Sequence, residues 1–148
     1  MIVGAGNLGQ ALAGYGGFNG RGFPVSGIVD IDPDKVGIDV AGTAVRALDD
    51  LPGIVAAGGI RIGVVATPAV AAQHAAELLI DAGVTSILNF APVVLSVPST
   101  ITVRKVDLAV ELQILSYHEQ RKGSPGTRTA DGAQLHALPA DRQRGASA

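Results

Sequence analysis

The stretch Met1-Ile2-Val3-Gly4-Ala5-Gly6-Asn7-Leu8-Gly9 decides the fold, because it places a G-x-G-x-x-G loop directly after a short apolar run. Loops of this kind join the first strand to the first helix in dinucleotide-binding folds. Gly4 permits a tight turn, Gly6 lets the backbone approach a pyrophosphate, and Gly9 lets the helix lie close to the strand. We therefore predict that the phosphates of a dinucleotide bind to Gly4, Ala5, Gly6, Asn7, Leu8 and Gly9.

A merely structural turn is the competing interpretation, because the chain contains 20 glycines and this spacing can arise by accident. An acidic residue about 20 positions later, at the end of a second strand, favours the dinucleotide. The stretch Val25-Ser26-Gly27-Ile28-Val29-Asp30 supplies that acid. Asp30 is predicted to accept hydrogen bonds from ribose hydroxyls and, with Asp32, to repel a 2′-phosphate, which favours NAD(H) over NADP(H). The alternative for Asp30 is a solvated acid in a turn.

Composition limits the possible classes of protein. A chain of 148 residues suits one domain, and 47% apolar residues with 3% aromatics suit helices packed on a parallel sheet. The absence of cysteine excludes disulfides, thiolate metal sites and a cysteine nucleophile. A net charge of -2 gives no basic surface for nucleic acid. No segment has the ~20 apolar residues of a membrane span, so we expect a cytoplasmic protein. We also expect no metal site.

The order of apolar runs and turn residues predicts an α/β doubly wound parallel sheet of the Rossmann type. Predicted strands cover 1–3, 25–30, 40–45, 60–66, 86–90 and 101–106, and predicted helices cover 8–15, 48–57, 69–82 and 108–122. Gly16-Gly17 is predicted to end the first helix, and Asp32-Pro33 to begin a helical turn. Residues 1–122 are expected to form the domain, and 123–148, which lack periodicity, a disordered tail.

Two further strand ends carry candidate cofactor contacts, because open α/β sheets bind ligands at the carboxyl ends of their strands. The first is Thr67-Pro68, and the second is Asn89-Phe90-Ala91-Pro92. Prolines that merely terminate strands are the alternative for both. The Tyr15 hydroxyl is a further candidate near the ligand, although its ring can equally pack beside Phe18.

The sequence offers no catalytic group for nicotinamide chemistry. A dehydrogenase needs an acid or base near the transferred hydride, and no histidine, lysine or tyrosine adjoins Thr67 or Asn89. The histidines at positions 74, 118 and 136 are therefore interpreted as ordinary surface or packing residues. We predict no catalytic residue in this chain.

The last predicted helix needs a partner. Asp107 is suited to the N-cap position. The apolar residues that follow it spread round most of the helix, with no later element to bury them: Leu108, Ala109, Val110, Leu112, Ile114, Leu115 and Tyr117. A second copy of the chain is the simplest partner, since twofold dimers are the commonest assemblies.

Together these motifs resemble the NAD-binding domain of the Rex family of redox-sensing transcriptional repressors. The resemblance covers residues 1–122 and rests on Val3 to Leu12, Tyr15-Gly16-Gly17-Phe18, Asp30-Ile31-Asp32, Val65 to Ala69, Ile87 to Pro92, and Val106 to Gln113. It implies a Rossmann domain of the CoA-binding type that senses the NADH/NAD+ ratio and is not an enzyme. It also implies a homodimer that exchanges its last helix, with Tyr15 and Asp107 as contacts that depend on the redox state.

The sequence departs from the Rex pattern at its front. The family's winged-helix domain, which binds operator DNA, is expected to be missing from this chain, and the first strand is expected to be clipped. A misplaced start codon, a fragment and a true loss of the domain are equally compatible with this pattern. Operator binding is therefore expected only through that separate domain. Two other classes stay open: a fragment of a nicotinamide oxidoreductase and a CoA-binding ligase subunit.

Overall fold

A single mixed sheet organises the described part of the chain, residues 1–122 of a computed structural model. Its strands are β1 (Ile2–Val3), β2 (Ile28–Asp30), β3 (Asp39–Val40), β4 (Thr43–Ala47), β5 (Ile62–Val65), β6 (Ser86–Asn89) and β7 (Thr102–Lys105). The helices are α1 (Asn7–Ala13), α2 (Gly16–Gly20), α3 (Leu51–Gly58), α4 (Ala69–Asp81) and α5 (Leu108–Lys122). Three-residue 3-10 turns cover Pro33–Lys35 and Leu48–Asp50. This arrangement confirms the predicted α/β Rossmann-type fold.

The strand order is β3-β4-β2-β1-β5-β6-β7, with β3 antiparallel to β4 and all other pairs parallel. Without β3, this is the order of a doubly wound dinucleotide-binding sheet. The direction of winding reverses between β1 and β5, where Ile2 pairs with Val64 and Val3 with Val65. Ligands of such sheets bind at this switch point, outside the carboxyl ends of the strands.

Apolar side chains from neighbouring positions in each strand point to opposite faces of the sheet. On one face, Val3, Val29 and Val65 pack with side chains of α3 and α4. On the other face, Ile2 and Ile28 pack with side chains of α1. Both faces of the central strands are therefore buried, which is why β1, β2 and β5 read as continuous apolar runs.

The main departures from the predicted boundaries each have a local cause. The first helix ends at Ala13, with Gly14 as its C-cap, and not at Gly16-Gly17, because Tyr15 is extended and the two glycines begin α2. The predicted strand 40–45 is a hairpin, since Ala41 and Gly42 have φ of 53° and 84° and form a two-residue turn. The predicted helix 48–57 begins as a 3-10 turn, and α3 ends at Gly58, with Gly59 as its left-handed C-cap.

The last two helices follow the prediction closely. Gly83, with φ of 103°, lies just beyond the C-cap of α4, where left-handed backbone favours glycine. Asp107 caps α5, because its Oδ1 accepts hydrogen bonds from the backbone N–H groups of Ala109 and Val110, both at 3.1 Å. The predicted tail, residues 123–148, lies outside the described residues.

By its internal contacts the chain divides into two units, Met1–Leu112 and Gln113–Ala148. The first unit contains the sheet and helices α1 to α4. The second is described over residues 113–122, which are helical. None of the described helices has the length and apolar character needed to cross a membrane.

Candidate functional site

The glycine loop leaves β1 through a backbone path that only glycine takes easily. Gly4 has φ of 103°, and a Cβ placed there would lie 2.5 Å from the carbonyl oxygen of Ala66. A Cβ on Gly9 would overlap the carbonyl oxygen of Gly4, so the lack of a side chain lets α1 lie against β1. A Cβ on Gly6, in contrast, meets nothing within 4 Å. The loop is therefore tightly packed at Gly4 and Gly9 and open at Gly6.

The peptide groups on both sides of Ala5 are fixed. The backbone N–H of Ala5 donates to Oδ2 of Asp30 at 2.6 Å, and its carbonyl oxygen accepts from Nε2 of Gln10 at 2.9 Å. Because a peptide unit is planar, the bond from Gln10 also sets the direction of the Gly6 N–H. Two hydrogen bonds to side chains thus hold the loop on either side of Ala5.

Asp30 lies at the end of β2 and is only 7% exposed. Its second oxygen, Oδ1, accepts from the backbone N–H of Asp32 at 2.8 Å. Burial opposes ionisation of this carboxyl, but the hydrogen bonds from Asp32 and Ala5, together with nearby Lys35, outweigh it and lower its pKa. Asp30 is therefore a carboxylate that ties the strand end to the glycine loop, and a ribose can use only its remaining acceptor capacity.

A cavity of about 210 Å³ opens beside this carboxylate. Five of its lining residues were predicted from the sequence: Gly4, Gly6, Asp30, Thr67 and Pro68. Thr67 carries a further signal, because its buried Oγ1 is without a hydrogen-bond partner within the described residues. Because unsatisfied buried polar atoms are rare, and because Thr67 lines the cavity, this hydroxyl is a candidate contact for a ligand.

Other lining residues were missed by sequence reasoning: Ile31, Lys35, Leu48, Ala71 and His74. His74 was interpreted as an ordinary helical histidine, yet it lies on α4, one turn beyond Ala71, and lines the same cavity. Helical spacing from Thr67 could not have found it, because Thr67 precedes the helix. Lys35 gave no comparable signal, because the cavity depends on how the turn at Pro33–Lys35 folds back.

The structure does not bring the residues of the β6 end into this cavity. Asn89 is 1% exposed, and its side chain serves its own loop. Its Nδ2 donates to the carbonyl oxygen of Val93 at 2.8 Å, and its Oδ1 accepts from the N–H of Ala91 at 2.9 Å. Phe90 and Pro92 complete the same loop, beside the end of β5.

Tyr15 and Asp107 also lie outside the cavity lining. The ring of Tyr15 is 52% exposed and meets the ring of Phe18 edge-on, with centroids 5.0 Å apart. Its ring also lies where a Cβ on Gly17 would have to be. The side chain of Asp107 caps α5, as described above. Among residues 1–122, no group of three or more acidic or histidine side chains could hold a metal ion.

The comparisons with known proteins agree with this geometry. Residues 1–93 match the family described as the CoA binding domain. The chain belongs to the CoA-binding domain family. A redox-sensing transcriptional repressor Rex of Streptomyces griseus is 56% identical over 144 residues, which is 96% of this chain and 57% of that protein. A Rex of Desulfitobacterium hafniense is 48% identical over 117 residues, covering 79% of this chain and 56% of the other.

Solved structures give the same result. RSP, a Rex-family repressor, superimposes with a TM-score of 0.77 at 36% identity, over 82% of this chain and 58% of RSP. RSP in complex with beta-NAD+ and operator DNA has a TM-score of 0.74 at 36% identity, over 82% of this chain and 56% of RSP. The resemblance to the Rex family is thus confirmed. The chain spans little more than half the length of these relatives.

Proposed function

We propose that this chain binds NAD(H) at the glycine loop and is the sensor domain of a repressor that responds to the NADH/NAD+ ratio. The unpartnered Oγ1 of Thr67, beside the open side of the loop at Gly6, carries the proposal. Support comes from RSP, which has been solved in complex with beta-NADH. RSP is 36% identical to this chain, and the match covers 82% of this chain. The loop residues Gly4 to Gly9 face the pyrophosphate in this proposal.

The remaining proposed contacts divide along the dinucleotide. Asp30 lies at the adenosine ribose, because an acid at the end of the second strand takes this place in Rossmann domains. Thr67 and Pro68 line the same cavity. The loop Asn89-Phe90-Ala91-Pro92 is assigned to the other half of the ligand, since it follows the next strand past the switch point. Its contribution is the shape of the loop, because the Asn89 side chain is already bonded within it.

The proposed role is regulation without catalysis. When bound, the dinucleotide supplies a nicotinamide whose charge differs between its oxidised and reduced forms. In this proposal Lys35 and His74, which line the cavity with Asp30, face the adenosine half of the ligand and not the nicotinamide. The proposed sensor thus has no proton-transfer partner for turnover beside the nicotinamide.

Transmission to DNA needs a second subunit and a second domain in this proposal. The apolar side chains of α5 are exposed, including Leu112 at 67% and Leu115 at 60%. An exposed apolar helix favours a homodimer in which α5 is exchanged, with Tyr15 and Asp107 as the contacts that change with redox state. Operator DNA is bound through the winged-helix domain that the resemblance to the Rex family implies; RSP, a Rex-family repressor, has been solved in complex with operator DNA. The proposed location is the cytoplasm.

Calorimetric titration of the wild-type chain and of Gly9→Ala with NADH tests this function. The added methyl would overlap the Gly4 carbonyl oxygen, so the loop must shift, and NADH binding should be lost or greatly weakened. Gly53→Ala on α3 is the matched control, because its Cβ meets nothing within 4 Å. CoA is titrated in parallel as the competing ligand. Tight CoA binding without NADH binding would contradict the proposal.

A further inference from the structure

Lys35 places a positive charge beside Asp30, at the part of the cavity proposed to bind the adenosine ribose. Its Nζ lies 3.6 Å from Oδ2 of Asp30, and the lysine side chain remains 35% exposed. Both residues line the cavity that contains Gly6 and Thr67. An anionic residue that selects against a 2′-phosphate is thus paired with a cationic residue of the kind that attracts one.

The two partners depend on each other unequally. Asp30 is held by backbone N–H groups of Ala5 and Asp32, at 2.6 and 2.8 Å, so its position does not rest on Lys35. Lys35 contacts Asp30 at 3.6 Å, longer than an ordinary hydrogen bond of about 2.7–3.2 Å. Within residues 1–122, the ion pairs found for Lys35 involve only Asp30. The carboxylate therefore restrains the ammonium, and the ammonium partly neutralises the carboxylate.

Neighbouring acids do not take over the role of Asp30. The side chain of Asp32 is turned toward its own turn, where its Oδ1 accepts from the N–H of Asp34 at 3.0 Å. Asp34 itself is exposed in the 3-10 turn. The charge that meets a group on the ribose is thus set mainly by the balance between Asp30 and Lys35.

We propose that Lys35 is a specificity-determining residue. In the wild-type chain Asp30 occupies its ammonium, and loss of the Asp30 charge frees Lys35 to bind the 2′-phosphate of NADPH. The inference rests on the proposed binding of NAD(H) and adds the residue that sets the margin between the two nucleotides. It differs from simple repulsion by Asp30, which assigns no role to the lysine.

Titrations of NADH and NADPH with four proteins test this: wild type, Asp30→Asn, Lys35→Gln and the double variant. In Asp30→Asn, NADPH should bind about tenfold more tightly than to wild type, because Lys35 forms a charge-assisted bond to the phosphate. The double variant should lose that gain. In Lys35→Gln, the preference for NADH should increase by about two- to fivefold, since the remaining Asp30 charge is no longer neutralised. Added salt should reduce these differences.

The control is Arg61→Gln, which removes an exposed cation at the amino end of β5, the opposite edge of the sheet. If the double variant retains the full gain for NADPH, repulsion by Asp30 alone explains specificity and the inference is overturned. If Asp30→Asn fails to fold, Lys35→Gln and Lys35→Glu decide the matter, because an unchanged ratio of NADPH to NADH affinity in both also overturns it. If the wild-type chain does not bind NADH, the proposed function is contradicted instead.

Discussion

Replacement of Thr67 by valine should move stability and ligand affinity in opposite directions. The buried Oγ1 of Thr67 has no hydrogen-bond partner among the described residues. An unsatisfied buried polar group costs about 1–3 kcal/mol, so a methyl group in its place should raise the free energy of unfolding of the ligand-free chain by about 1 kcal/mol. The same substitution removes a hydrogen bond to NADH, which should weaken binding by about 1 kcal/mol, or roughly fivefold.

Urea unfolding without ligand and calorimetric titration with NADH measure the two effects on the same protein. Thr67→Ser is the matched control, because it keeps the hydroxyl and should keep the affinity of the wild type. A destabilised Thr67→Val chain that binds NADH with unchanged affinity would refute the reasoning, since the hydroxyl would then serve the fold and not the ligand.

Two further predictions concern α5 and the pH dependence of stability. Leu112→Asp should dissociate the proposed dimer, because a charge buried in an apolar interface costs several kcal/mol per subunit. Sedimentation equilibrium measures the dissociation, with Leu112→Met as the control. A dimer of unchanged affinity would contradict the exchanged helix. The lowered pKa of Asp30 means that its contribution to stability is present above the ordinary value of 3.8 and is lost as the pH falls through the lower folded value. Urea unfolding from pH 6 to about pH 2 should therefore show a steeper loss for wild type than for Asp30→Asn, and parallel curves would show that the folded structure does not favour this carboxylate.

Much of the fold could be predicted because its signals are local. The glycine loop, the apolar run at β5 and the glycine after α4 each act within a few residues. The missed elements depend on neighbours distant in the sequence or on unusual backbone. Nothing local indicates that Ala41, a residue other than glycine, adopts a positive φ and turns a strand into a hairpin. Similarly, α2 begins after Tyr15, whose backbone is extended. The sequence does not indicate a helix there, because its first two residues are glycines.

The candidate site was only half visible in the sequence for the same reason. Strand-end residues such as Gly4, Asp30 and Thr67 could be predicted because the carboxyl ends of parallel strands meet at one edge. Lys35 and His74 reach the cavity through a turn and a helix, so their positions depend on the packed structure. The sequence also does not reveal that both carboxylate oxygens of Asp30 accept hydrogen bonds from backbone N–H groups, those of Ala5 and Asp32. Its contact with the ribose stays a prediction.

The most direct test of the central claim is the ratio of the dissociation constants of NAD+ and NADH. Competition titration of the same wild-type sample measures both affinities under one set of conditions. The two forms must favour different states of the protein, because a ligand with equal affinity for both states shifts nothing. We expect that difference to make the two overall dissociation constants unequal. We predict tighter binding of NADH than of NAD+, and equal affinities, or tighter binding of NAD+, would contradict the account.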